Sequence, residues 1–176
     1  TKNGQIIFTE ISIFHLQQSD QTFSVLFFRD ITERKKIEEE LRALSLTDEL
    51  TSLYNRRGFT LMASQELKLA RRLLKNLTVF FVDVDDLTKI NNNLGHQAGD
   101  QALIGAAEVL RRAFRDTDII GRLGGDEFTI MAVEVSFVEI KIILRRLNEE
   151  VKIFNQTNGK NFRLSLSSGV AHYDPA

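Results

Sequence analysis

GRLGGDEF, residues 121–128, is the stretch on which the reading of this chain turns. Ile119–Leu123 leads into it and Glu127–Val133 leads away from it; both read as strands, and Gly124 and Gly125 between them are a hairpin signal. Paired glycines permit backbone geometry that a side chain forbids. Two acids, Asp126 and Glu127, follow the turn directly.

On either side of this hairpin the pattern alternates between helix and strand. Upstream, Asn55 to Leu74 carries Phe59, Met62, Ala63, Leu67, Ala70 and Leu74 on one helical face. LTVFFVDVD (77–85) reads as a buried strand ending in acids, and Asp100 to Phe114 repeats a helical face with Leu103, Ala106, Leu110 and Phe114. Downstream, Ser136 and Glu139 form a capping box that opens a helix with Ile140, Ile143, Leu144, Leu147, Val151 and Phe154 inward. Phe162–His172 reads as a last strand. From residue 48 the order is therefore α, β, α, β, β, α, β, which predicts an α/β (α+β) sandwich, helices flanking a largely antiparallel sheet.

The first 47 residues follow a different pattern. Residues 5–15 and 23–29 alternate as two strands around a polar turn at 17–21, too little sheet to be stable alone. Asp30 or Thr32 then caps a helix through ERKKIEEELRALS, in which Ile37, Leu41 and Leu44 form an apolar stripe among charges. The stripe suits a short dimeric coiled coil, and equally a solvated helix with one apolar face.

Composition sets the outer limits. The 176 residues are 43% apolar and 27% charged, with one proline and 10 glycines, which is globular rather than disordered. A net charge of −1 offers no basic excess for nucleic acid or a membrane surface. There is no cysteine, so disulfides and thiolate metal sites are excluded. No apolar run reaches the ~18–20 residues that span a bilayer, and no membrane contact is expected within these residues. The chain starts at Thr1 and stops at Ala176 just after a strand-like segment, and we expect it to be a fragment of a longer protein.

The acids carry the chemistry. On a strand Asp83 and Asp85 point to the same side. Carboxylates gathered from two strand ends are hard oxygen ligands suited to Mg²⁺, which binds through one or two carboxylates plus substrate phosphates. Metal-assisted phosphoryl transfer would follow. Each acid taken singly fits a solvated strand end as well, and for the set the two readings stand level.

A resemblance tips that balance. GRLGGDEF (121–128), DELTSLYNRRGF (48–59), DVDDLTKINNNLGHQAGD (83–100) and LSLSSGVAHY (164–173) resemble, in order and spacing, the motifs of the GGDEF domain of diguanylate cyclases. The resemblance implies a nucleotidyl-cyclase-like palm over 48–176, with a central mixed, largely antiparallel sheet. It implies that two GTP, one on each subunit of a dimer, are joined into cyclic di-GMP with release of two pyrophosphates. By position, Asp83, Asp126 and the Val84 carbonyl become ligands of Mg²⁺ or Mn²⁺, and Glu127 an acid or base or an additional ligand. Asn91 and Asp100 become readers of the guanine edge; Gly124, Gly125, Leu87, Thr88 and Lys89 flank the phosphates. Arg115 and Asp118 form the RxxD of an inhibitory product site, to which Arg145 or Arg146, the latter preferred, adds a second arginine. The family also pairs an acid of the 48–59 motif with the arginine before the glycines, here Asp48 with Arg122. RDITERKKIEEELR (29–42) is similar to the exit of a PAS sensor domain into a signalling helix, implying a PAS remnant over 1–30 and a dimerising helix over 31–47.

The chain departs from the family in places. Leu87 and Thr88 stand where Phe-Lys is usual, and Lys89 comes one residue late, about 100° around a helix. Asn92 replaces a more usual acid. The family's final helix, with its lysine and GRN, is absent from these residues, so the fragment alone is expected to be a poor cyclase. The expected function is a cytoplasmic diguanylate cyclase under an upstream sensor, without nucleic acid as a partner. The alternative is a catalytically weak domain that senses GTP or cyclic di-GMP.

Overall fold

The computed structural model of the protein describes residues 7–18, 21–37, 45–157 and 159–175. The chain divides into two compact units, Thr1–Ser45 and Leu46–Ala176. In the smaller, strands β1 (Thr9–Gln18) and β2 (Gln21–Asp30) pair antiparallel from Thr9↔Asp30 to Gln18↔Gln21. The Phe14 and Phe27 rings meet edge to face, centroids 5.7 Å apart. Ile11, Ile13, Leu26 and Phe28 share the other side of the ribbon and are exposed. The Thr32 amide donates to Asp30 Oδ1 at 2.8 Å, and residues 32–37 are helical. The remainder of the helix expected over 31–47 lies outside the described residues as far as 44. It does not reach 47, because Thr47 bridges to Tyr54.

The larger unit runs α1 (Arg56–Leu73), β3 (Leu77–Val84), α2 (Leu87–Leu94), α3 (His96–Ala113), β4 (Ile119–Gly124), β5 (Glu127–Val133), α4 (Phe137–Thr157) and β6 (Leu166–Tyr173). Its sheet has the order β4-β5-β3-β6, and every described pair is antiparallel. The predicted sandwich is therefore present, with an antiparallel sheet where a mixed one was allowed. Ser136 and Glu139 form the capping box at the start of α4: the Ser136 amide and hydroxyl both donate to Glu139 Oε2.

Two element boundaries differ from the sequence reading. The helix expected from Asp100 starts at His96, and a separate eight-residue helix, α2, precedes it. Gly95, at φ 84°, makes the break between them. The last strand starts at Leu166 rather than Phe162. Leu164 instead exchanges backbone hydrogen bonds with the Asn155 side chain, its amide donating to Oδ1 at 2.7 Å and its carbonyl accepting from Nδ2 at 2.8 Å.

Alternation along β3 assigns its two faces. Phe80, Val82 and Val84 point into the main core under α3 and α4, among Ala106, Leu110, Ile143 and Leu147. Leu77 points the other way, where α1 lays Phe59, Ala63 and Ala70 over Ile119 and Met131. On that second face Phe81, opposite Gly169 of β6, stays 52% exposed. Among the described residues no helix is long and apolar enough to cross a membrane.

Phe80 is fully buried at the centre of the sheet and packs edge to face on Phe114, centroids 5.0 Å apart. Phe80→Ala is expected to cost about 3–5 kcal/mol of stability. In urea titrations the midpoint should fall while the slope stays that of the parent.

Candidate functional site

The hairpin and the end of β3 meet at one edge of the sheet. Glu127, the first residue of β5, stands directly across from Asp83, and the Val84 amide donates to the Asp126 carbonyl at 3.2 Å. Asp83, Val84, Asp126 and Glu127 are thus brought together by two strands and a turn. Partial burial, and then the charges of Asp126, Asp85 and Glu127, push the Asp83 carboxyl above its ordinary range. Gly124 and Gly125, at φ 147° and 53°, make the turn.

Among the described residues no three acidic or histidine side chains converge as a metal cage. The expected donor set at this edge, the Asp83 and Asp126 carboxylates and the Val84 carbonyl, is all hard oxygen. That set fits Mg²⁺, which rarely uses an all-protein cage. Asp85 keeps the side expected of it: its amide extends the β3–β6 ladder to the Ser165 carbonyl at 3.0 Å, and it reaches Ser167, the cross-strand partner of Asp83. Its carboxylate accepts from the Ser165 and Ser167 hydroxyls at 2.5 and 2.6 Å.

The turn after β3 carries the remaining nucleotide candidates. Asp86 adopts φ 58°, and its carbonyl accepts from the Lys89 and Ile90 amides. Leu87 and Thr88 therefore head α2 with amides that have no partner within the helix. Lys89 Nζ is folded back onto Asp86 Oδ1 at 2.7 Å rather than extended from the helix. Asn91, in the last turn but one of α2, packs on Gly99 in the first turn of α3, and exposed Asp100 follows.

Arg122 braces the hairpin from below. Its Nη1 donates to both Asp48 oxygens at 3.2 Å, and its Nε and Nη2 donate to the Gly125 carbonyl at 3.0 and 2.7 Å. The expected Asp48–Arg122 pair is present. Burial pushes the Asp48 carboxyl up, but hydrogen bonds from the Thr51 hydroxyl and amide, with the Arg122 charge, outweigh it and hold the group below its ordinary range. Sequence reasoning missed Arg56. It heads α1, donates from Nε to the Leu123 carbonyl at 3.2 Å and stands 3.9 Å from Glu127, so it brings a cation to the acidic edge.

On the far side of β4, Arg115 and Asp118 close a turn. The Arg115 amide donates to Asp118 Oδ2 at 2.8 Å and the Asp118 amide to the Arg115 carbonyl at 2.9 Å. Burial pushes the Asp118 carboxyl up, against the Arg115 amide and the charges of Arg115 and Arg146. Arg146 is therefore the second arginine near this turn, while Arg145 faces Glu149. The Arg115 guanidinium also meets Glu139 at 3.5 Å, a partner that the capping box alone did not reveal. A cleft of about 400 Å³ opens here between Thr47, Tyr54, Arg111, Arg115 and Asp118.

With this geometry, comparison with known proteins is specific. The family described as "Diguanylate cyclase, GGDEF domain" matches residues 45–176. The chain is 36% identical over 133 residues to the cyclic di-GMP phosphodiesterase NbdA of Pseudomonas aeruginosa, covering 76% of this chain and 17% of that protein. It is 32% identical over 167 residues to the diguanylate cyclase DgcP of Escherichia coli, covering 90% and 49% respectively. It thus spans less than half of either relative. Among solved structures, the GGDEF domain of TpbB from P. aeruginosa superposes with a TM-score of 0.66 at 35% identity, over 72% of this chain and 75% of that one. The GGDEF domain of DgcB from Caulobacter crescentus, solved with c-di-GMP, gives 0.67 at 27% identity, over 74% and 79%.

The depressed Asp48 carboxyl stabilises the fold above its unfolded-state pKa, and that contribution is lost as pH falls through the folded-state value. Asp48→Asn should therefore cost about 1.5–3 kcal/mol at pH 7. The gap between variant and parent should begin to narrow as pH falls below about 4, the ordinary aspartate range, and close only below the lower folded-state value of Asp48. Chemical denaturation at a series of pH values measures both.

Proposed function

Because this chain belongs to the diguanylate cyclase GGDEF-domain family, we propose that its sheet edge binds GTP and, across a dimer, joins two GTP into cyclic di-GMP. The observation that carries this reading is the register that sets Asp83 opposite Glu127, with Asp126 in the adjoining turn and Arg122 fixing that turn. Asp83, Asp126 and the Val84 carbonyl would hold a Mg²⁺ or Mn²⁺ ion, which offsets phosphate charge and acidifies the attacking hydroxyl. Gly124, Gly125 and the amides of Leu87 and Thr88 border the triphosphate, a helix start being suited to anions. Arg56 adds a cation. Asn91 and Asp100 read the guanine edge, an amide offering donors and acceptors and a carboxylate accepting from ring N–H groups.

In the step itself, the 3′-oxygen of one GTP bonds to the α-phosphorus of the other and the bond to the pyrophosphate oxygen breaks. Glu127 would take the hydroxyl proton, or serve as a further metal ligand. The second subunit performs the same exchange, so each active site is two half-sites. Dimerisation through the helix that starts after Asp30, under a PAS-type sensor to which the β1–β2 ribbon belongs, would control their meeting. Arg115, Asp118 and Arg146 would bind product and slow the enzyme, and GTP as substrate implies a cytoplasmic setting.

A second reading is supported by Thr88 and Lys89. Thr88 carries no charge, and the Lys89 ammonium is paired with Asp86. A domain so short of phosphate cations would bind nucleotide and signal without turnover.

Incubation of the full-length parent protein with GTP and Mg²⁺, followed by chromatography for cyclic di-GMP, separates the readings. Turnover is expected, with a loss of at least about a hundredfold in Asp126→Asn, since a metal contributes several kcal/mol to such a step. Saturable GTP binding without product would favour the sensing domain. For the product site, Arg115→Ala should leave the initial rate largely intact and relieve inhibition by added cyclic di-GMP. Unchanged inhibition would remove Arg115 from that role.

A further inference from the structure

Gly99 is buried in the first turn of α3, and the space its missing side chain leaves is taken by Asn91. A methyl group at 99 would overlap Asn91 Oδ1 and stand 2.9 Å from Cγ and 3.3 Å from Nδ2. All three nearest atoms belong to that one amide, and none is backbone. Gly99 has no positive φ, unlike Gly95, Gly124, Gly125 and Gly159, so backbone conformation does not require glycine here. In a helix, glycine is the weaker choice against alanine. The sequence thus forgoes helix stability at this position, and the room it leaves is filled by the Asn91 amide.

We propose that Gly99 is a positioning residue for guanine selectivity: its bare Cα lets the α3 turn approach α2 and fixes where the Asn91 amide can present its donors and acceptors. The proposal rests on the reading of Asn91 as a guanine reader. An asparagine has two side-chain torsions, so an amide pushed away by a methyl group swings as a unit. The swing carries both its oxygen and its nitrogen off the base edge at once. The Asn91 carbonyl accepts from the Gly95 amide at 2.9 Å, the bond that closes the end of α2. The atoms a methyl group at 99 meets are all at the far end of the Asn91 side chain, so the displacement is expected to fall on the recognition atoms.

Gly99→Ala is expected to retain or raise the melting temperature through helix propensity. It should weaken binding of GTP with Mg²⁺ on the order of tenfold, the worth of two neutral hydrogen bonds. ATP, which presents a different edge, should bind as weakly as before, so the GTP-to-ATP preference collapses. Where turnover is measured, KM for GTP should rise with kcat nearly unchanged.

The decisive comparison is a cycle with Asn91→Ala, read by titration calorimetry. If Gly99 acts through Asn91, Gly99→Ala weakens GTP binding in the parent and has no further effect once Asn91 is alanine, where the methyl group meets no amide. Additive losses would overturn the proposal, as would unchanged GTP affinity in Gly99→Ala when Asn91→Ala weakens binding. If Asn91→Ala itself leaves GTP affinity unchanged, the guanine reading fails first and this inference with it. A fall in melting temperature in Gly99→Ala that is recovered in the double variant supports the clash with Asn91; one that is not recovered overturns it.

Discussion

The Arg122 guanidinium ties the loop that carries Asp48 to the turn that carries the acids. Its side chain is mostly buried, 13% exposed, and it divides its donors between the Asp48 carboxylate and the Gly125 carbonyl. Taking such a charge out of water is unfavourable unless its donors are satisfied, and here they are. The loop it holds lies along β4: the Tyr54 amide donates to the Ile120 carbonyl and the Arg122 amide to the Tyr54 carbonyl. The turn it holds delivers Asp126 and Glu127. Removing either partner would leave a buried charge and free the turn from the loop together.

The acids at the sheet edge impose the opposite kind of constraint. Asp83 feels Asp126, Asp85 and Glu127, and nothing in the fold itself needs these four carboxylates at one end of β3. A sequence selected for stability alone would separate them. Local rules are broken where a site demands it, and the cost is met elsewhere. Here Arg122 and the antiparallel register hold the turn in place, Arg56 supplies one counter-charge, and the Ser165 and Ser167 hydroxyls draw Asp85 toward β6.

What the sequence could show followed how local each signal was. The di-glycine hairpin, the Ser136–Glu139 capping box and most of the inward face of α1 are written within a few residues and are present. Leu74, expected on that face, instead caps α1 in a left-handed conformation and is 75% exposed. The helix α2 was missed because its apolar set is only Leu87, Ile90 and Leu94, separated by polar residues, and a break at Gly95 cuts the periodicity short. The last strand was started too early because Phe162, Leu164 and Leu166 alternate like a strand, while Asn155 claims the Leu164 backbone from a distant helix. The period of two carried one residue past β3, since Asp85 bonds the hydroxyl of Ser167, the partner of Asp83. Arg56 beside Glu127 and Glu139 beside Arg115 bring together parts of the chain far apart in sequence, and no single-chain pattern carries them.

The two ends of the proposed nucleotide site are positioned by unrelated devices. At the phosphate end the brace is electrostatic: Asp48, Arg122 and the Gly125 carbonyl set the turn that carries Asp126. At the base end it is steric: Gly95 bends the chain and Gly99 leaves the room that Asn91 fills. β3, which joins them, is locked on both sides by β5 and β6. The 47–55 loop touches the supports of both ends: Arg122 ties it to the Gly125 carbonyl, and its Thr51 carbonyl accepts from Arg111 of α3 at 2.7 Å. A displacement of that loop is therefore felt both at the turn that carries Asp126 and along the helix that carries Gly99.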